Sequence, residues 1–187
     1  MKTPLHMLAT LLVIGSISGA ALSQVFEWAT PRIEANRKAE TEAAIKEVFP
    51  KVASTEPVES ETLEAYKAFD EAGELLGYAV VYAGNGFQGE IRLIFGITPD
   101  TETITGYRAL EHQETPGIGT ILNDPWYYEQ FDGLSAKPQV GWVKEGEDAA
   151  PNEIHAKTGA TISSKSVVAI INAGLEELRA TLGDKNA

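Results

Sequence analysis

Thr158-Gly159-Ala160-Thr161-Ile162-Ser163-Ser164 runs directly into an apolar series at Val167, Ile171, Leu175, Leu178 and Leu182, and together they predict the start and body of a closing helix. Spacings of three and four place those side chains on one stripe, so the helix must lie on an apolar surface built elsewhere in the chain. Its opening turn is chemically specialised. Gly159 and Ala160 let a bulky group approach the backbone, and the first-turn N–H groups lack helical acceptors and so favour an anion. Ser163 or Ser164 is the natural N-cap. These residues alone leave two readings open: a turn that holds a phosphate, or an ordinary helix start that Thr158 and Ser163 merely cap.

The surface beneath the helix is predicted from strand-like runs upstream, at about Leu63 to Phe69, Leu75 to Tyr82, Ile91 to Ile97 and Thr103 to Leu110. Turn residues separate them at Asp70 to Gly73, Gly84 to Gly89 and Thr98 to Asp100. Short strands joined by short turns imply an antiparallel meander. Helical character is expected near Asn123 to Phe131, and a further strand at Val140 to Val143. No internal repeat or low-complexity tract is present. The predicted fold class is α+β, an antiparallel-rich sheet with flanking helices preceded by one N-terminal transmembrane helix.

That first helix is expected over residues 7–26. Met7 to Phe26 carries no formal charge and is rich in Leu, Ile, Val and Ala, with Lys2 ahead of it and Trp28 at interfacial depth. A cleaved signal peptide is the competing reading, since Ser18-Gly19-Ala20-Ala21 offers small residues to a peptidase. An uncleaved anchor is preferred, because the apolar run exceeds the usual signal core and Thr30-Pro31 opens a charged helix immediately. Gly15, Gly19 and Ser23 form a small-residue face on which another membrane helix can pack. A connector helix is predicted from Pro31 to about Val48, with Thr30 as cap and Phe49-Pro50 as stop. Ile33, Ala44, Ile45 and Val48 are its docking residues.

Composition restricts the function classes. The chain has 187 residues, 43% apolar and 8% aromatic, enough for one folded domain with a core. A net charge of −12 argues against nucleic acid as a partner. The absence of cysteine removes disulfides, thiolate metal sites and iron–sulfur ligation. His6, His112 and His155 show no metal-ligand spacing, and no metal site is expected. Gly84-Asn85-Gly86-Phe87-Gln88-Gly89 matches a dinucleotide fingerprint, but the strand Ile91 to Phe95 follows it where a helix is required. Gly159 to Ser166 misses a nucleotide-hydrolase phosphate loop by one residue, with too little chain beyond it for parallel strands.

A second loop reads with the first. Glu111-His112-Gln113-Glu114-Thr115-Pro116-Gly117-Ile118-Gly119 places Pro116-Gly117 at the centre of a type II turn, and Gly119 leaves room for an aromatic ring. By itself it is a plain tight turn. Paired in order and distance with T-G-A-T-I-S-S, the E-T-P-G-I-G loop resembles the signatures of FMN-binding subunits of the RnfG and NqrC type, closer to the former. Thr30 to Asn36 and Gly86-Phe87-Gly89-Ile91 also look like that family, so the resemblance spans nearly the whole chain.

The resemblance implies a membrane-anchored flavoprotein subunit relaying electrons within an Rnf-type ion-translocating electron transport complex. Thr161 would carry FMN through a phosphoester bond, attached by a flavin transferase using FAD. Thr158, Gly159, Ala160, Ser163, Ser164 and Lys165 would surround the attachment, and Glu114, Thr115, Pro116, Gly117 and Gly119 would lie against the flavin. Lys157 and Lys165 could offset the phosphate charge, and His112 could approach the ring. The family has Asp three positions before the first hydroxyl of the motif, where this chain has His155. Residues 1–6 would be cytoplasmic, 7–26 a single-pass anchor in the plasma (inner) membrane, 27–50 a connector, and 51–187 the exported FMN-binding domain. Partners would be the bilayer, the other membrane and redox subunits, and the transferase. Two alternatives stand beside it: a tethered flavin reductase with loosely bound FMN, and a non-catalytic exported assembly or binding module.

Overall fold

A computed structural model describes residues 2–60, 62–115 and 119–184. The chain divides into two units, Met1–Glu40 and Thr41–Ala187.

The first helix, α1, is Lys2–Val48. Within the first unit its apolar side chains face outward, from Leu5 through Leu22 to Phe26. An 18-residue window reaches a mean hydropathy of 1.8, long and apolar enough to cross a membrane. Pro31 lies inside this helix and does not begin a new one. The cap expected at Thr30 is therefore absent: its hydroxyl donates to the Phe26 carbonyl at 2.8 Å, the back-bond of a residue within a helix. Pro31 removes only one N–H, and strong helix formers on both sides carry the helix through.

In the second unit, the last turns of α1 bury Thr41, Ala44, Ile45 and Val48. Ile33, expected to dock as well, is 50% exposed. Five strands follow: β1 Ser54–Pro57, β2 Glu64–Phe69, β3 Leu75–Asn85, β4 Glu90–Ile97 and β5 Ile104–His112. They pair antiparallel in sequence order, the expected meander with one added edge strand. The sheet is covered on both faces, and alternation along each strand sorts the side chains. Val80, Leu93 and Phe95 face one core with the C-terminal helix; Ala79, Val81 and Ile94 face the other with Ala44, Ile45, Val48 and Phe49. Gly77 and Gly96 leave space for the Phe49 ring, which a methyl group at either position would approach to 3.0 Å.

The region expected to be helical near 123–131 is a set of short turns: a 3-10 turn at Gly119–Asn123, α2 Pro125–Tyr128 and another 3-10 turn at Glu129–Phe131. Asp124 caps α2 by accepting from the Trp126 N–H at 2.9 Å. Phe131 and Tyr127 stack against Tyr107 in the core. Strands β6 Gly141–Lys144 and β7 Glu153–Ala156 pair in parallel. Only β6 has a counterpart among the expected strands, because β7 is short and its sequence carries no strong strand signal. The chain closes with α3, Thr161–Asp184.

Candidate functional site at the start of the C-terminal helix

The lead into α3 is shaped by β7. Gly159 takes φ +87°, a left-handed conformation that glycine adopts without strain, and turns the chain from β7 into the helix. The helix then begins at Thr161, earlier than expected, so Ser163 and Ser164 are first-turn residues and not the N-cap. Each hydroxyl has a different environment. Ser164 is fully buried, donating to the Ala160 carbonyl at 3.0 Å and accepting from the Lys157 N–H at 3.4 Å. Ser163 is buried and donates to the Glu114 carboxylate. Thr161 is half-buried, its hydroxyl 3.3 Å from the Lys157 carbonyl. Thr158 is exposed, and its N–H donates to Glu145 at 3.3 Å.

Thr161 sits on a groove of about 220 Å3 lined by Phe87, Gly159, Ala160, Thr161, Ile162 and Ser163. Phe87 and Ile162 are 60% and 55% exposed, so the groove presents apolar surface to solvent. Trp126 is also exposed, and Lys157 lies 4.6 Å over its ring while pairing with Glu145 at 2.9 Å. Lys165 lies 4.1 Å over Trp142. Both lysines expected to flank the threonine are thus held by aromatic rings. The lysine ammonium and the Thr158 N–H hold the Glu145 carboxyl below its ordinary pKa.

Glu114 joins three segments here. It is 6% exposed; one oxygen accepts from the N–H groups of Phe87 at 2.7 Å and Gln88 at 3.1 Å, and the other accepts from Ser163. Burial raises its pKa, but the Ser163 hydroxyl and the amides of Gln88, Phe87 and Gly89 outweigh that effect and hold it below the ordinary value. Thr115 donates to Gln88 at 2.7 Å. Gly119 packs where a methyl would fall 2.6 Å from the Glu114 Cβ and 2.8 Å from the His112 ring. Pro116 and Gly117 lie outside the described residues.

The structure therefore gathers Glu114, Thr115 and Gly119 with the α3 start, and adds residues that the sequence does not single out as site residues. Phe87 stands out in the sequence only as part of a motif; Glu145, Trp126 and Trp142 give no local signal, since their contacts arise from distant segments. His155 does not line the groove: its N–H donates to Gln130 at 2.7 Å and its Nε2 lies 3.0 Å from the Glu147 carbonyl. The arrangement fits a phosphate-tailed aromatic group. A part-exposed hydroxyl sits at a helix start with no acidic residue in its first turn, beside apolar surface sized for part of a planar ring.

Comparison with known proteins agrees with that chemistry. Residues 86–176 match the FMN-binding domain family. The chain is 30% identical, over 94% of its length and 95% of the relative's, to the RnfG-type subunit of the ion-translocating oxidoreductase complex of Methanosarcina acetivorans. It is 32% identical, over 89% of its length and 87% of the relative's, to the corresponding subunit of the Na(+)-translocating ferredoxin:NAD(+) oxidoreductase complex of Acetobacterium woodii. NqrC of Shewanella oneidensis shares the fold with a TM-score of 0.52 and 25% identity, each chain covered over 70%. From the near full-length match to the first of these relatives, together with the domain match, the chain belongs to the RnfG/NqrC family of FMN-binding-domain proteins.

Proposed function

We propose that this protein is a membrane-anchored electron-transfer subunit of an Rnf-type ion-translocating oxidoreductase complex, carrying FMN on Thr161. The carrying observation is the Thr161 hydroxyl, which alone among the α3-start hydroxyls combines partial exposure with a place on the apolar groove. Ser163 and Ser164 are buried and bonded within the protein. The family membership and the relatives' names support the complex; the N-terminal apolar helix supports the anchor, with Lys2 before it and the folded unit on the exported side.

Attachment requires a flavin transferase and an FAD donor. The Thr161 Oγ forms a bond to the FMN phosphorus, the pyrophosphate bond breaks, AMP leaves and the hydroxyl proton passes to solvent. Bound FMN supplies the redox chemistry. The chain's own residues orient and shield: Gly159 lets the phosphate tail approach the backbone, the first-turn N–H groups of α3 face its charge, and Phe87 and Ile162 offer apolar contact. Other subunits of the complex are the electron partners.

The test is intact-mass measurement of the full chain produced together with a flavin transferase. One added FMN, with fluorescence surviving denaturation, is expected; Thr161→Ala loses both and Thr161→Ser keeps them. FMN released on denaturation would support a flavin reductase, and bare polypeptide a non-catalytic module.

A further inference from the structure

Three glycine-rich or hydroxyl-rich segments far apart in sequence meet on one side chain. The Glu114 carboxylate accepts from the amides of Phe87 and Gln88 in the β3–β4 turn and from the Ser163 hydroxyl in the first turn of α3. The neighbouring glycines are cut to its shape. A methyl on Gly86 would fall 2.3 Å from its Oε1, and one on Gly119 2.6 Å from its Cβ. Phe87, whose N–H it holds, is also a wall of the groove beside Thr161. With donors at Phe87, Gln88, Gly89 and Ser163 already in place, the carboxylate has little capacity left for a ligand.

We propose that Glu114 is a positioning residue and not a flavin ligand: it latches the β3–β4 turn to the start of α3, sets the Phe87 wall against Thr161, and withdraws Ser163 from attachment. The proposal rests on the FMN reading of Thr161. What the latch needs from residue 114 is acceptor oxygen and length, more than charge. Glutamine keeps one acceptor for the two amides and can donate its NH2 to a rotated Ser163 hydroxyl, whereas alanine removes every contact.

The experiment uses the full chain in detergent, produced with a flavin transferase, in wild-type, Glu114→Ala, Glu114→Gln and Ser163→Ala forms. Hydrogen exchange is followed in the peptide spanning Gly86 to Gly89, and FMN occupancy by intact mass. Glu114→Ala is expected to lose protection at the Phe87 and Gln88 amides and to fall on the order of ten-fold or more in attachment rate, the scale of a misplaced reacting group. Glu114→Gln is expected to retain protection and more than half the attachment. Ser163→Ala, which a helix tolerates readily, keeps the amide protection but attaches FMN several-fold more slowly because the turn is no longer tied to α3. Glutamine as defective as alanine would overturn the latch in favour of a charge-dependent role, and so would unaltered protection in Glu114→Ala or wild-type attachment in Ser163→Ala. Wild-type protein without FMN would overturn the proposed function, and the exchange data would still decide the latch.

Discussion

Substituting Gly86 by alanine should damage this protein far more than the addition of one methyl group suggests. The Cβ would lie 2.3 Å from Glu114 Oε1, 2.8 Å from the Gly89 carbonyl oxygen and 2.8 Å from Ile91 Cδ1. A normal contact requires about an ångström more on the carboxylate side, where the interior is close-packed. The carboxylate cannot retreat freely, since amide and hydroxyl donors hold it and the space around it is filled. Overpacking of this kind costs about 1–3 kcal/mol. If the carboxylate is displaced, a charge-assisted hydrogen bond worth about 1.5–3 kcal/mol goes as well. The expected loss is therefore about 2–4 kcal/mol, or roughly 4–16 °C in Tm for a unit of this size. Thermal unfolding of the full chain in detergent, read by tryptophan fluorescence, measures it. Gly183→Ala, with nothing within 4 Å of the added methyl, is the control and should be neutral or slightly stabilising. A Gly86→Ala protein within about 0.5 kcal/mol of wild type, the range of ordinary surface substitutions, would refute the reasoning.

Three other outcomes follow from the same structure. The Glu114 carboxyl is held below its ordinary value of 4.5 in the folded protein, so its contribution is complete above that pH and lost as pH falls through the folded value. Acid titration of stability should accordingly show a steeper loss below about pH 4.5 in wild type than in Glu114→Gln. Phe131→Ala removes a ring packed 4.7 Å from Tyr107 and 5.6 Å from Tyr127 in a fully buried cluster, and should cost about 3–5 kcal/mol by chemical denaturation. Arg179 donates to the Thr101 carbonyl at 2.7 Å and to that of Ala136 at 3.3 Å, so Arg179→Met, which keeps the apolar stem, should cost about 1–3 kcal/mol through the carbonyls it leaves unpaired.

The sheet order is legible in the sequence because its strands are near-continuous apolar runs separated by turn residues. Ile91 to Ile97 could hardly be anything but a strand buried on both faces. Polar or short elements are not legible in this way. Ser54–Pro57 has four exposed residues and joins the sheet only because β2 offers it an edge. Strand β7 is defined by a parallel partner across a loop. Thr30-Pro31 carries the local signature of a helix start, yet the helix runs through it, because a terminus signal is a preference that flanking helix formers outweigh.

From its order of residues alone, this chain specified an apolar N-terminal helix, an antiparallel meander, and a C-terminal helix opening on Thr161, since periodicity and turn chemistry act over a few neighbouring positions. Only tertiary structure distinguished the hydroxyls of that opening: Ser163 faces Glu114, Ser164 is sealed beneath Ala160, and Thr161 keeps access to the groove. Sequence spacing names which groups are near one another along the chain. Burial and hydrogen-bond partnership come from segments tens of residues away, and they determine which of several similar oxygen atoms is free to react.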